Sequence, residues 1–285
     1  MKNTQVIQLM SIVRLSIFML GITMMSCNSK KEQQLPAIGK SVALFDYFSY
    51  KGNDDFYISN PLSDEDYFYN PILPGWYSDP SVCTNGEGDY FLVTSTFTYF
   101  PGVPIFHSKD LVNWKQIGHV LNRASQLVNM EGQKVSGGIF APAISYNPYN
   151  KTYYMVTINV GAGNFFVKTQ DPFGEWSEPV MLPEVGGIDP SFFFDEDGKA
   201  YIVNNDEAPD NKPEYSGHRT IRIQEFDVKT DKTIGPRKIL VNKGAQPADK
   251  PIWIEGPHLY KINGKYFLMS AEGGTGNWHS EVIFC

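Results

Sequence analysis

Residues 79–93 read DPSVCTNGEGDYFLV, and residues 189–203 read DPSFFFDEDGKAYIV. Each stretch places an aspartate directly before proline, continues as an apolar strand, turns at a tight polar segment and returns as a second strand. Proline fixes its own φ and pushes the preceding residue towards extended backbone, so an Asp-Pro pair can open a strand. For either copy alone, a turn before a strand explains the aspartate as well as a functional role does. Because the pattern occurs twice, we expect an internal repeat.

Two further segments carry the same pattern. Residues 141–156 read APAISYNPYNKTYYMV, and residues 256–269 read GPHLYKINGKYFLM. Their spacing is irregular but close to the length of a four-stranded propeller blade, and no long helical periodicity competes with the strand signals. The sequence therefore predicts an all-β fold, a β-propeller whose inner strands line a central channel. The four prolines of the pattern stand at positions 80, 142, 190 and 257.

Three acidic residues are candidates for the channel. Asp79 and Asp189 occupy equivalent places in two repeats, so they are expected to face each other across one pocket. Glu255, in the segment WIEGP, stands one residue further before the proline of the fourth repeat than the two aspartates do in theirs. The alternative to a functional role for Glu255 is a partly buried acid bound to backbone N–H groups. Carboxyls gathered in one pocket repel, which raises the pKa of at least one of them. A protonated acid beside an ionised one is what glycoside hydrolysis requires.

Composition excludes several other functions. The formal net charge is −7, and the only basic cluster is SKKE at 29–32, so nucleic acid is not an expected partner. Zinc and nucleophile-elbow patterns (HExxH, a Cys-His cluster, GxSxG) do not occur in the sequence, and the glycines at 161 and 163 lack the third glycine of a dinucleotide loop. Cys83 and Cys285 are too few for a disulfide framework. No metal or other cofactor is expected.

The N-terminus resembles an export signal. Lys2 and Arg14 precede the apolar run LSIFMLGITMM, which is too short for a good transmembrane helix and ends at Ser26-Cys27. This order predicts a lipoprotein signal peptide over residues 1–26 with a lipid on Cys27, the alternative being simple secretion. Residues 27–69 are polar and aperiodic and are predicted to be a tether and lead-in to a glycosidase propeller over residues 70–285. The expected location is the bacterial cell envelope, with the membrane touched only through the lipid.

The repeats also resemble a known family. Their text is similar, over nearly all of residues 70–280 and in the same order, to glycoside hydrolase family 43, and specifically to its β-xylosidase and α-L-arabinofuranosidase members. The matching stretches are NPILPGWYSDPS, STFTYFPGVPIFHSKDLVNW, SGGIFAPAISY, GIDPSFFFDEDGKAYIVN and WIEGPHLYKINGKYFLMSAEGGTG.

The resemblance implies a five-bladed propeller and an inverting exo-glycosidase that releases xylose or arabinose from fragments of plant polysaccharides such as xylan or arabinoxylan. By matching motifs, Asp79 resembles the general base, Glu255 the general acid, and Asp189 the residue that orients the acid and tunes its pKa. Phe97 and Phe140 match positions that wall the pocket around the terminal sugar; ordinary core aromatics are the alternative. The sequence does not separate xylosidase from arabinofuranosidase.

Two alternatives stand beside this prediction, and the motifs argue against the first. Retaining five-bladed hydrolases of fructans carry Asn-Asp-Pro-Asn-Gly and Arg-Asp-Pro at the first two acids, whereas this chain has YSDPSV and GIDPSF. Family members also continue through the rest of the fourth blade and a fifth blade, and a later blade supplies a pocket arginine, whereas this text ends with AEGGTGNWHSEVIFC. The sequence is therefore expected to be a C-terminally truncated member of about four blades, the last incomplete. An inactive remnant or a non-catalytic glycan-binding lipoprotein is the alternative function.

Lipidation can be tested directly. Labelled palmitate is expected to enter the wild-type chain in a bacterial host and not Cys27→Ser, because the thiol of Cys27 is the predicted attachment point. Cys83→Ser is the matched control and is expected to be labelled as strongly as wild type. Unlabelled wild-type protein found free in the periplasm would contradict the prediction and indicate simple secretion.

Overall fold

The computed structural model describes residues 55–63, 66–127, 129–276 and 280–285. The predicted signal segment, Cys27 and most of the predicted tether lie outside these residues. The chain divides into two compact units, Met1–Pro61 and Leu62–Cys285. In the first unit the described part is a short helix, α1 (Asp55–Ser59). Among the described residues no helix combines the length and the apolar character needed to cross a membrane.

The described residues of the second unit form four antiparallel sheets, each of which we call a blade and number in chain order. Blade 1 consists of β1 (Ser81–Thr84), β2 (Tyr90–Val93), β3 (Gly102–Ser108) and β4 (Lys115–Leu121). Blade 2 consists of β5 (Ile139–Asn147), β6 (Thr152–Asn159), β7 (Gly163–Thr169) and β8 (Val180–Met181). Blade 3 consists of β9 (Ile188–Phe194), β10 (Ala200–Glu207), β11 (Arg219–Asp227) and β12 (Lys232–Asn242). Blade 4 has three strands among the described residues: β13 (Glu255–Ile262), β14 (Lys265–Glu272) and β15 (Ser280–Phe284).

Short 3₁₀ helices occupy three of the loops that connect these strands: Ala124–Gln126, Pro209–Asn211 and Pro247–Asp249. In every blade the strands follow one another in sheet order as a meander. The first strands are neighbours, β1 beside β5, β5 beside β9 and β9 beside β13. This is the arrangement of a β-propeller, and it confirms the predicted fold class.

In the part of the chain that the structure describes, the hydrophobic core has three layers, each between two consecutive blades. Phe91 and Ile105 of blade 1 pack with Met155 of blade 2, and the two blades share the largest layer. An aromatic layer that includes Phe166 and Phe192 joins blade 2 to blade 3. The layer between blades 3 and 4 is smaller and contains four buried residues: Ile221, Val241, Ile254 and Leu268. Burial of these apolar side chains holds each blade to the next.

Each first strand opens with a β-bulge at its X-Pro pair. In blade 3, Ser191 pairs with Val203, whereas Ile188 pairs with Asn205, so three steps along β9 match two along β10. In blade 1, Ser81 pairs with Val93 and the Ser95 N–H donates to the Ser78 carbonyl at 3.0 Å, which gives the same offset. The corresponding pairs in blades 2 and 4 are Ala143 with Val156 and Phe140 with Ile158, and His258 with Met269 and Glu255 with Ala271.

The residue before each proline is the left-handed residue of its bulge. Its φ is 54° at Asp79, 34° at Ala141, 53° at Asp189 and 58° at Gly256. The expectation that the aspartates lie in extended backbone is therefore wrong. A bulge leaves one residue outside the ladder, and left-handed backbone there redirects its side chain. Proline fits the next position because it needs no partner for an N–H group.

Blades 3 and 4 are also joined by a polar clasp that includes the Asp195 carboxylate on blade 3. Lys261 Nζ lies 2.9 Å from one carboxylate oxygen of Asp195, and the Tyr266 hydroxyl donates to the other at 2.6 Å. Burial opposes ionisation of Asp195, but these two partners together keep its pKa below the ordinary value. Glu196 also reaches Lys261, at 3.0 Å, but its side chain is 78% exposed.

Asp195→Asn is expected to destabilise the propeller, because a buried amide cannot replace the charge-assisted bonds to Lys261 and Tyr266. We expect thermal unfolding to move down by about 3–6 °C. Glu196→Gln is the matched control; it removes an exposed partner of the same lysine and is expected to change the midpoint by less than about 1 °C. Equal effects of the two substitutions in calorimetry would contradict a buried clasp.

Candidate active site

The bulges place three acidic side chains close enough for their charges to act on one another. Asp79 and Asp189 are the bulge residues of blades 1 and 3, and Glu255 is the ladder residue just before the bulge of blade 4. Glu255 and Asp79 each raise the pKa of Asp189, and Asp79 raises that of Glu255. The structure thus brings together the three acids that the repeats singled out.

Asp189 is the most perturbed of the three. Burial, followed by the neighbouring charges of Glu255 and Asp79, raises its pKa to about 7, although the Gly256 N–H and Arg219 act in the opposite direction. The Gly256 N–H donates to Asp189 Oδ2 at 3.0 Å. The Asp189 carboxyl on blade 3 therefore holds Gly256, the bulge residue of blade 4 that directly follows Glu255.

Glu255 is half-buried, and its backbone is fixed on both sides. The pKa of its carboxyl is raised, first by burial and then by Asp79, while Arg219 opposes the rise. The Trp253 N–H donates to the Gly217 carbonyl at 2.8 Å, and Ile254 is fully buried between blades 3 and 4. An acid in this environment keeps its proton to a higher pH than a free glutamic acid does.

Asp79 differs from the other two acids because it is exposed. Ser95 Oγ donates to Asp79 Oδ2 at 2.5 Å and accepts the Ala141 N–H at 2.7 Å. Ser95 thus ties Asp79 to the bulge of the next blade, as Asp189 is tied to Gly256. Sequence reasoning did not assign a role to Ser95, although it begins the quoted stretch STFTYFPGVPIFHSKDLVNW.

We call the row of aromatic rings beside the bulges of blades 1 and 2 the aromatic wall. The ring centroids of Phe97 and Phe140 lie 5.5 Å apart, and Trp76 continues the row at 5.7 Å from Phe97. Phe97 and Ile139 exchange two backbone hydrogen bonds of 2.9 Å, which bridge blades 1 and 2. Gly138 permits this contact, because a Cβ there would lie 2.2 Å from the Phe97 carbonyl oxygen. Phe97 and Phe140 are therefore neighbours, and both are partly exposed. Trp76, the third ring of the row, was not predicted from the sequence.

Arg219 is the cation that sequence reasoning missed. It is the first residue of β11, only 9% exposed, and its charge acts on both Asp189 and Glu255. A single arginine at the start of a strand carries no local signal of this role.

The geometry defines a class of protein: a propeller in which two carboxyls with raised pKa stand beside an exposed carboxyl and an aromatic wall. No group of three or more His, Cys, Asp or Glu side chains suited to a metal occurs among the described residues. Pairs of acids in different environments are typical of glycoside hydrolysis.

Comparison with known proteins gives the family. Residues 68–284 match the profile of Glycosyl hydrolases family 43, so the chain belongs to that family. A xylosidase/arabinosidase of Butyrivibrio fibrisolvens is 50% identical over 214 residues, which are 74% of this chain and 40% of that protein. A non-reducing end α-L-arabinofuranosidase of Bacteroides ovatus is 41% identical over 223 residues, 76% of this chain and 38% of that protein.

Solved structures agree with this assignment. The crystal structure of a GH43_12 protein from a capybara gut metagenome is 56% identical, with a TM-score of 0.76, over 82% of this chain and 43% of that one. A xylan β-1,4-xylosidase of Bacillus halodurans is 38% identical, with a TM-score of 0.66, over 75% of this chain and 40% of that one. The chain thus spans about 40% of the length of the relatives it matches.

The raised pKa of Asp189 predicts how its substitution changes stability with pH. In the unfolded chain the carboxyl ionises near its ordinary pKa of about 3.9, whereas in the folded site it retains its proton to about pH 7. Folding therefore binds a proton between these values, and the favourable contribution is lost as pH rises through the folded pKa. Asp189→Asn avoids burying the charge and still accepts the Gly256 N–H.

We therefore expect Asp189→Asn to be more stable than wild type by about 1–3 kcal/mol at pH 8 and to lose that advantage near pH 4. Urea unfolding at several pH values measures the difference. The exposed Asp249 provides the control, because Asp249→Asn is expected to track wild type at every pH. A destabilised Asp189→Asn at pH 8 would contradict the buried, proton-retaining carboxyl.

Proposed function

We propose that this propeller is an inverting exo-glycosidase that releases xylose or arabinose from xylan-type fragments. The observation that carries the proposal is the pairing of Glu255, whose pKa is raised, with the exposed carboxyl of Asp79 in the same site. An inverting glycosidase needs one carboxyl that donates a proton and a second that activates water.

Each acid then has one role in the reaction. Glu255 donates its proton to the glycosidic oxygen as the bond from that oxygen to the anomeric carbon breaks. Asp79 accepts a proton from the water that attacks the opposite face of the sugar, for which we expect about 6.5–9.5 Å between the two carboxyls. Asp189 orients the acid through its hydrogen bond with the Gly256 N–H, next to Glu255, and its proposed second role is to tune the pKa of Glu255. Protonated Glu255 and ionised Asp79 are restored when the proton returns through solvent.

The substrate class is supported by the relatives and by the aromatic wall. The matched proteins are named xylosidases and arabinosidases, and one is a non-reducing end α-L-arabinofuranosidase. The partly exposed rings of Phe97 and Phe140 offer apolar faces against which a pentose ring can pack. Xylose and arabinose present similar hydroxyls, so the proposal covers both terminal sugars.

We further propose that the protein is exported and held at the cell envelope by the lipid on Cys27.

Glycan binding without turnover is a second candidate. The fact that favours it is that the chain spans about 40% of the length of its relatives, so that their activity as whole proteins is not automatically its own. Both candidates use the same aromatic wall. Only the hydrolase requires the proton of Glu255.

The role of Glu255 can be tested with leaving groups of different basicity. Glu255→Gln is expected to lower kcat/KM for an alkyl or unactivated aryl xyloside or arabinofuranoside by about 10²–10⁴-fold. A dinitrophenyl glycoside departs without protonation, so its hydrolysis is expected to fall by less than about tenfold. Asp79→Asn removes the base and is expected to slow both substrates alike.

Glu281→Gln, an exposed substitution on β15, is the control and is expected to retain full activity. Proton NMR of the first product formed distinguishes inversion from retention. Equal losses of Glu255→Gln on both leaving groups would contradict its role as general acid. Sugar binding by the wild-type chain with no turnover of either substrate would favour the second candidate.

A further inference from the structure

Arg219 is a buried cation whose surroundings are built from three different segments. It stands directly opposite Glu207 in the ladder between β10 and β11, and its guanidinium forms an ion pair with that carboxylate. Its Nε donates to Asn205 Oδ1 at 3.2 Å, and its Cζ lies 5.1 Å from the centroid of the Trp253 ring. A buried charge is stable only when it is paired and hydrogen-bonded, and these contacts satisfy that requirement.

The charge of Arg219 is not fully neutralised by Glu207. The side chain of Arg219 is 11% exposed, whereas that of Glu207 is 56% exposed. Water therefore screens the glutamate much more than the guanidinium. The positive charge of Arg219 therefore still acts on the carboxyls of Asp189 and Glu255.

Asn205 connects this guanidinium to the segment that carries Glu255. Its Nδ2 donates to the Ile254 carbonyl at 2.5 Å, and Asn205 itself is fully buried. In the ladder Asn205 pairs with Ile188, the residue before Asp189. The Asn205 side chain thus binds the backbone of Ile254, directly before Glu255. Its own strand position lies next to that of Asp189.

We infer that Arg219 is a positioning residue for Glu255, which it holds through Asn205 and Trp253 and whose carboxylate it stabilises after the proton has been donated. The inference rests on the proposed glycosidase reaction. Proton donation leaves a negative charge on Glu255 beside the carboxyls of Asp79 and Asp189. Arg219 offsets that charge, in agreement with its lowering of the pKa of both Asp189 and Glu255.

Two substitutions with opposite signs test this inference. Arg219→Met removes the positive charge, so the titrations of Asp189 and Glu255 are expected to move to higher pH by about one pH unit. Glu207→Gln removes the exposed counter-charge; because water screens Glu207, the same titrations are expected to move to lower pH by less than they rise in Arg219→Met. The measurement is carbon-13 NMR of the side-chain carboxyls, assigned with Asp189→Asn and Glu255→Gln. The pH profile of hydrolysis is the second readout, in which the alkaline limb follows Glu255.

Arg222→Met is the matched control. Arg222 lies on the same strand and pairs with Asp206 at 3.0 Å, and Asp206 keeps Arg237 at 2.8 Å after the substitution. The titrations of both site acids are expected to stay as in wild type. Arg219→Lys retains a charge without the planar fork, and it is expected to restore most of the titration shift that Arg219→Met produces.

The outcomes separate this inference from the proposed function. Opposite shifts in Arg219→Met and Glu207→Gln, with no shift in Arg222→Met, would support the role of Arg219 even if the chain shows no turnover. Absence of turnover would contradict only the proposed function. If Arg219→Met does not fold, Glu207→Gln decides alone. Titrations of Asp189 and Glu255 that remain unchanged in folded Arg219→Met or in Glu207→Gln would overturn the inference.

Discussion

The proline-anchored β-bulge at the start of each inner strand is the constraint on which the site depends. It adds one residue to the inner strand, and the left-handed backbone of that residue redirects its side chain. The same backbone device occurs in all four blades but carries Asp79, Ala141, Asp189 and Gly256 in turn. The fold therefore supplies four equivalent positions, and the residue types at those positions decide which of them can act in chemistry.

The position of Glu255 follows from the same geometry. Blade 4 places glycine at the bulge, so no side chain leaves that position, and the acid comes from the ladder residue before it. The bulge glycine leaves its N–H free to bind Asp189, which links blades 3 and 4 at the acid. In blades 1 and 2 the corresponding link passes through the hydroxyl of Ser95. Asp79 and Asp189 are thus each coupled to the backbone of the next blade.

Burial sets the chemical difference among the three acids. Asp189 and Glu255 lie where desolvation opposes their ionised forms, and desolvation is the largest cause of the raised pKa of each. Asp79 is exposed to solvent on the same site. Arg219 offsets part of the negative charge of these acids. The sequence repeats give no indication of its position. The site therefore combines a repeated backbone geometry with one residue that has no counterpart in the repeat.

The sequence by itself determined the fold class, the order of the blades and the three acids, because proline, turn residues and strand alternation are local signals that recur with the repeat. It also identified Phe97 and Phe140, but only through resemblance to the family. Only the tertiary structure decided the left-handed backbone of the aspartates, the hydroxyl bridge of Ser95 and the place of Arg219. The physical reason is distance along the chain: Asp189 and Gly256 are 67 residues apart and Asn205 and Ile254 are 49 apart, so their contacts exist only once the blades have packed.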